Sequence, residues 1–215
     1  MFRNEAELVD KLIDDLSVRF NTSYIVRELR SGNNIADVVY STDIIRNNVI
    51  FNDYTNAYYY FSKVYSRKTI NAERLHIPGE RSSKKFVRFL HDLEDLGYLK
   101  IDGTKIHCVK KVDAVTKNFV AVEAKLFDWT AGLEQATRYK QYANEVYVAL
   151  SSEAIKTVSR GVFRESGVGL MSVSPEKFSV PIRARKNKTD HLDVQYFVAD
   201  RFLQELLDSN LVPVS

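Results

Sequence analysis

A chain of 215 residues with 45% hydrophobic and 27% charged side chains carries enough apolar material for one ample core or two small ones, which excludes a disordered protein. Its net charge of +3 excludes a uniformly basic surface, so any nucleic-acid contact has to come from local clustering. A single cysteine, Cys108, excludes an intrachain disulfide and fits a reducing cytoplasm, and no apolar run approaches the roughly 18–20 residues of a membrane span.

Acids interrupt the opening MFRNEAELVDKLIDDL too early for a secretion signal. Asn4 is placed to cap a helix over residues 5–20, with Leu8, Leu12, Ile13, Leu16 and Phe20 as its apolar stripe. Glu5 falls at the inner edge of that stripe, where it serves either the helix dipole or a site. Residues 23–29 and 35–40 read as strands around Ser31-Gly32-Asn33-Asn34, which has hairpin chemistry. Asp37 sits in the second run among Ile35, Ala36, Val38 and Val39, either at a water-facing edge or as part of a site.

The pattern then changes. Residues 53–66 are rich in tyrosine and phenylalanine and predict a partial helix. A second short helix is expected over 68–76, stopped by Ile77-Pro78-Gly79. Ser82 or Ser83 caps a periodic helix carrying Phe86, Phe89, Leu90, Leu93 and Leu96 and ending at Gly97. Residues 98–109 read as a hairpin turned at Asp102-Gly103.

Residues 119–126 predict a buried strand in which Glu123 and Lys125 share one face, because side chains on a strand repeat every second residue. A carboxylate and an ammonium on one side of a buried strand are costly unless they pair or bind something. A helix follows, with Thr130 as expected cap and Gln135 and Tyr139 four residues apart on one face. Residues 145–150 give a second buried strand. After it come a helix from Ser151 or Ser152 ending at Gly167, a strand over 168–173, a loop or extended segment over 174–189, and a closing helix over 190–207. The loop carries Arg183, Arg185, Lys186 and Lys188, either solvated or touching phosphate.

Strand E-x-K, helix Q-x-x-x-Y, strand: this order resembles the PD-(D/E)XK nuclease superfamily, in the branch that carries the Q-x-x-x-Y helix. The resemblance covers roughly residues 4–40 and 115–173. It implies an α/β restriction-endonuclease-like core, αβββαβ, with a central mixed sheet flanked by helices. It also implies Mg²⁺ or Mn²⁺ held by Asp37, Glu123 and the Ala124 carbonyl, with Glu5, or Glu7 in its place, as a further acid. Lys125 would stand near the scissile phosphate, stabilising charge or acting on water, and Gln135 and Tyr139 would contact substrate, orient Lys125 or simply pack. The 86 positions between Asp37 and Glu123 depart from the compact pattern and leave Asp43 or Asp113 as alternative acids.

Three helices followed by a hairpin resemble a winged helix-turn-helix. The resemblance implies DNA contact through Arg81, Lys84, Lys85 and Arg88, with Lys100, Lys105, Lys110 and Lys111 on or after the hairpin, unless the face is merely solvated or protein-binding. Arg138 is a further candidate for phosphate. The expected organisation is a discontinuous core of residues 1–42 and 115–215 around a winged-helix-like insertion, 43–114.

Other chemistries fit worse. His76, His91, His107 and His191 have no zinc-ligand spacing, and neither a G-x-x-x-x-G-K loop nor a G-x-S-x-G motif is present. The two resemblances together imply a cytoplasmic, metal-dependent DNA nuclease without a membrane partner, as a homodimer or in a larger complex. The rival reading is a DNA-binding regulator or protein-interaction module on the same fold.

Overall fold

The computed structural model describes residues 1–45, 49–75, 77, 79–116 and 118–209, so His76, Pro78 and Lys117 lie outside the described residues. Asn4 opens α1 (Glu5–Phe20) by accepting the Glu7 amide, and Asn21, left-handed at φ 47°, closes it. Two strands follow, β1 (Ile25–Ser31) and β2 (Asn34–Tyr40), joined through Gly32 at φ 60°, a conformation that a residue without a Cβ adopts freely. Next come α2 (Tyr54–Tyr59), which widens into a π-helical turn over Tyr60–Tyr65, then β3 (Thr69–Asn71) and a 3-10 turn over Ala72–Arg74. They are followed by α3 (Glu80–Asp95), β4 (Leu99–Asp102), β5 (Lys105–Cys108), β6 (Val120–Lys125) and α4 (Trp129–Arg138). The chain continues through β7 (Glu145–Ser151), α5 (Arg160–Ser166), β8 (Gly169–Val173), β9 (Phe178–Ile182) and α6 (Leu192–Asp208).

The chain divides into two compact units. One comprises residues 1–44, 116–190 and 201–215; the other comprises 45–115 and 191–200, so the first half of α6 joins the second unit rather than the core that surrounds it in sequence.

The first unit is α/β, with a mixed six-stranded sheet in the order β1-β2-β6-β7-β8-β9. β1, β2 and β6 are antiparallel, β6, β7 and β8 are parallel, and β9 returns antiparallel. Leu8, Val9, Leu12 and Leu16 of α1 pack on one face against Val38, Tyr40, Val120, Val122, Ala124, Ala149 and Met171. Period two turns Ala121, Glu123 and Lys125 to the opposite face, beneath α4. All five residues from Val120 to Ala124 are buried, as a central strand requires.

In the second unit a three-stranded antiparallel sheet, β3-β5-β4, packs with α2 and α3. Phe51, Tyr60, Phe86, Leu90, Leu93, Ile106 and Tyr196 belong to its core, where the rings meet tilted or edge to face.

Four local expectations are corrected. The helix expected over 68–76 is β3 followed by one 3-10 turn, because pairing with β5 outweighs local preference in so short a run. Asp128, not Thr130, caps α4 by accepting the Ala131 amide. The helix expected from Ser151 breaks into a 3-10 turn, Ala154–Thr157, and α5. Gly79, not Ser82 or Ser83, stands at the N-terminal cap of α3, which begins at Glu80. The segment 174–189, expected as a loop or extended, carries the strand β9, whose Pro181 is tolerated because the strand is an edge.

Candidate active site

The β2–β6 ladder runs from Tyr40–Val120 to Val38–Val122 and stops there. The next pair in register is Asp37 and Glu123. At that point the strands fork, and a side chain takes over from the backbone: the Asp37 carboxylate accepts the Ala124 amide at 2.7 Å. Two acids 86 positions apart in the chain are thereby held at the open end of one ladder.

Glu123 is 1% exposed and both its oxygens are engaged. Oε1 lies 2.8 Å from the Lys125 ammonium, which the alternation of β6 brings to the same face. Oε2 accepts the Tyr139 hydroxyl at 2.5 Å, and the same hydroxyl lies 2.7 Å from the Ile35 carbonyl. Tyr139 follows directly on the last turn of α4, so the helix between β6 and β7 carries it back over the strand. Glu5, at the start of α1, reaches Lys125 at 3.7 Å and accepts the Leu126 amide at 3.4 Å. The lysine thus stands between the Glu123 and Glu5 carboxylates.

Burial pushes Glu123 above the usual carboxylate range and the nearby Asp37 charge adds to this, opposed by Lys125 and Tyr139. Asp37 is raised for the same first reason, with the Ala124 amide and Lys125 opposing. Burial pulls Lys125 down, but the hydrogen bond and charge of Glu123, with the charges of Glu5 and Asp37, outweigh it and leave the ammonium raised. Lys125 is therefore held as a cation and is poorly suited to act as a proton acceptor. Burial and the Glu123 charge push Tyr139 far up, so its hydroxyl stays a donor.

Beside these groups a recess of about 200 Å³ is lined by Glu5, Ala6, Val9, Arg27, Glu28 and Asp37. Arg27 pairs with Asp10 at 2.5 Å. Glu28 stands opposite Asp37, between the registered pairs Arg27–Val38 and Leu29–Ala36, and has φ 56°, an unfavourable conformation for a residue with a Cβ. Neither Arg27 nor Glu28 was singled out by motif. Counting outward from the Gly32-Asn33 turn would have placed Glu28 against Asp37.

The structure thus brings together Glu5, Asp37, Glu123, Lys125 and Tyr139. It shows the Ala124 amide, rather than its carbonyl, in contact with an acid. Gln135 is half-buried on α4, and its side chain makes no hydrogen bond with any described residue. Glu7 is committed elsewhere: the backbone amide and guanidinium of Arg3 bind it and hold its carboxyl below the usual range. Asp43 bonds Ser41 and Thr116 where the chain leaves β2, and Asp113 belongs to the second unit.

Of the expected phosphate contacts, Arg138 is exposed and paired with Glu134 at 2.6 Å. Arg81, Lys84, Lys85 and Arg88 are exposed on α3, with Lys84 paired to Glu80 and Lys85 to Asp53. Lys100 and Lys105 are exposed on β4 and β5, while Lys110 and Lys111 lie over the rings of Tyr98 and Tyr65. Within the basic loop, Arg185 donates to the Arg164 carbonyl and Asn187 to those of Lys140 and Ala143, which fastens the segment to the first unit.

Among the described residues no group of three or more His, Cys, Asp and Glu side chains is arranged to hold a metal ion. The two carboxylates at the fork are nevertheless an all-oxygen set of the kind a hard divalent ion takes when water and substrate supply its other ligands. Among the described residues no helix is long and apolar enough to cross a membrane. No family model, curated protein or solved structure matches the chain.

Proposed function

We propose that the chain is a metal-dependent nuclease of the PD-(D/E)XK type, with a restriction-endonuclease-like first unit and a winged-helix-like second unit that binds DNA. One observation carries this reading. A strand fork gathers Asp37, Glu123 and Lys125 with Tyr139 from the following helix, in the spacing D…E-x-K…Y. The chain order α2, β3, a 3-10 turn, α3 and then the β4–β5 hairpin, with β3 pairing onto β5, supports the winged-helix part.

In this reading Asp37 and Glu123 hold the divalent ion. When bound, it supplies charge neutralisation at the phosphoryl oxygens and a more acidic water. Lys125, kept charged by its neighbours, stabilises negative charge growing on the phosphate. Tyr139 fixes the Glu123 carboxylate, and the Ala124 amide fixes that of Asp37. Glu5 limits how far the lysine swings.

A second reading, a nuclease-like fold that binds DNA without cutting it, is favoured by the full engagement of Glu123, since Lys125 and Tyr139 already take both of its oxygens. The deciding experiment incubates the protein with linear and circular, single- and double-stranded DNA in Mg²⁺, Mn²⁺ or EDTA, beside Glu123→Gln and Lys125→Ala. Metal-dependent cleavage lost in both variants is expected. Salt-sensitive binding without cleavage under any metal rejects the nuclease reading in favour of the second.

A further inference from the structure

α3 is the helix that winged-helix geometry offers to the major groove, yet its charge argues against that role. Its four cations, Arg81, Lys84, Lys85 and Arg88, are matched within the helix by four acids, Glu80, Asp92, Glu94 and Asp95. Lys84 pairs with Glu80 at 2.7 Å, and Lys85 lies 3.6 Å from Asp53. A polyanion approaching this face meets little net positive charge.

The opposite situation holds beside β3. A recess of about 340 Å³ is lined by Lys63, Arg67, Thr69, Ile70, Asn71 and Arg74. Lys63 comes from the last turn before β3 and Arg74 from the turn after it, while Arg67 donates to the Lys63 carbonyl at 2.7 Å, which ties one rim of the recess together. The register of the three-stranded sheet extends the same surface. Ile70 and Ile106 are buried, so the alternate positions face outward: Thr69, His107 and Lys100 form one row and Asn71, Lys105 and Asp102 the next. The Thr69 hydroxyl and His107 Nδ1 are 3.1 Å apart, so two polar groups already share this face.

Lys63, Arg67, Arg74, Lys100 and Lys105 form no ion pair with any described residue, and the acids set against them are Glu73, which meets the Asn71 amide at 3.4 Å, and Asp102 across from Lys105. Unpaired cations spread along a groove and an adjoining flat face, with hydroxyl and amide donors between them, match successive phosphates of one strand. The only aliphatic residue of the recess, Ile70, is 5% exposed, so the surface lacks the apolar edge that a membrane-docking face needs.

We propose that the second unit grips the phosphodiester backbone of DNA through the β3 recess and the outer face of its three-stranded sheet, rather than through α3. The proposal deepens the DNA-binding part of the reading above and does not need the first unit to cut. Binding of the full chain to a fluorescein-labelled duplex is measured by anisotropy in EDTA across a KCl series. Four proteins are compared: wild type, the triple variant Lys63→Ala, Arg67→Ala, Arg74→Ala, the exposed pair Lys100→Ala, Lys105→Ala, and the α3 triple Arg81→Ala, Lys84→Ala, Arg88→Ala.

Removing three phosphate contacts is expected to weaken binding about tenfold or more and to lower the salt slope by about 2 to 3. The α3 triple is expected to stay within about twofold of wild type, since its cations are internally offset. Circular dichroism checks folding. Should the recess triple unfold, the sheet pair, which is exposed, still has to weaken binding and lower the slope by about 1 to 2. A larger loss in the α3 triple, no binding by wild type, or binding to phosphatidylserine vesicles in place of duplex overturns the proposal. Cleavage is read separately in Mg²⁺: recess-dependent binding without cleavage removes the nuclease reading and keeps this one, while cleavage with α3-dependent binding does the reverse.

Discussion

Asp200 of α6 is 5% exposed, and among the described residues the only group bonded to its carboxylate is the backbone amide of Phe51. Burial pushes its pKa from the ordinary 3.8 up to about 7, the Phe51 hydrogen bond opposing. An acid whose folded pKa lies above its unfolded one binds its proton more tightly in the native state. Its contribution is therefore fully present below pH 3.8 and is lost as the pH rises to about 7. The gap between those values corresponds to about 4 kcal/mol at most, so the neutral isostere Asp200→Asn, whose carbonyl still accepts the Phe51 amide, should be close to wild type near the lower limit. It should become more stable by about 2–4 kcal/mol above neutrality. Urea unfolding of both proteins at stepped pH measures the difference. A stability difference that does not change between acid and mildly alkaline solution, or a wild type more stable than the variant above neutrality, would refute the reasoning.

Two further outcomes follow from the candidate site. Lys125→Met leaves the Glu123 carboxylate buried beside Asp37 without its counter-charge and should cost about 3 kcal/mol, whereas adding Glu123→Gln should recover most of that loss. Purely additive losses in denaturant titrations of the two single variants and the double would mean that the pair is not coupled. A Cβ added at Gly132 would lie 3.0 Å from Val148 Cγ1 and 3.2 Å from Lys125 Cγ. Gly132→Ala should therefore displace the lysine stem and, on the proposed nuclease reading, slow DNA cleavage about tenfold, while the gain in helix propensity offsets part of the crowding in the melting temperature. An unchanged cleavage rate would show that the position of Lys125 is not critical.

The pairing of Glu123 with Lys125 was legible because strand periodicity alone puts both on one face, while Tyr139 came into view only through the resemblance of Gln135 and Tyr139 to the Q-x-x-x-Y helix. The long helices were legible from their apolar stripes, as with Phe86, Leu90 and Leu93 of α3. β3 was not, since three residues, Thr-Ile-Asn, carry no periodicity and owe their conformation to pairing with Lys105–His107. Glu28 was passed over because its significance comes from register across a hairpin rather than from any local motif. Asp200 was hidden by the apolar pattern of its own helix: one acid among Val198, Ala199, Phe202 and Leu203 reads as a solvent position until burial shows otherwise. The balance of charge on α3 was present in the sequence, but only the observed ion pairs show which of its lysines are already engaged.

The ending of the β2–β6 ladder at Val38–Val122 has a mechanical consequence. Beyond that rung, among the described residues, the two acid-bearing strands are joined only by side-chain ties: Asp37 to an amide of the opposite strand, and the phenol of Tyr139 reaching to both. A guest seated in this gap trades away those few ties and leaves every rung of the sheet in place. Filling the gap is thus a matter of swapping partners at its mouth, while the scaffold behind keeps its register.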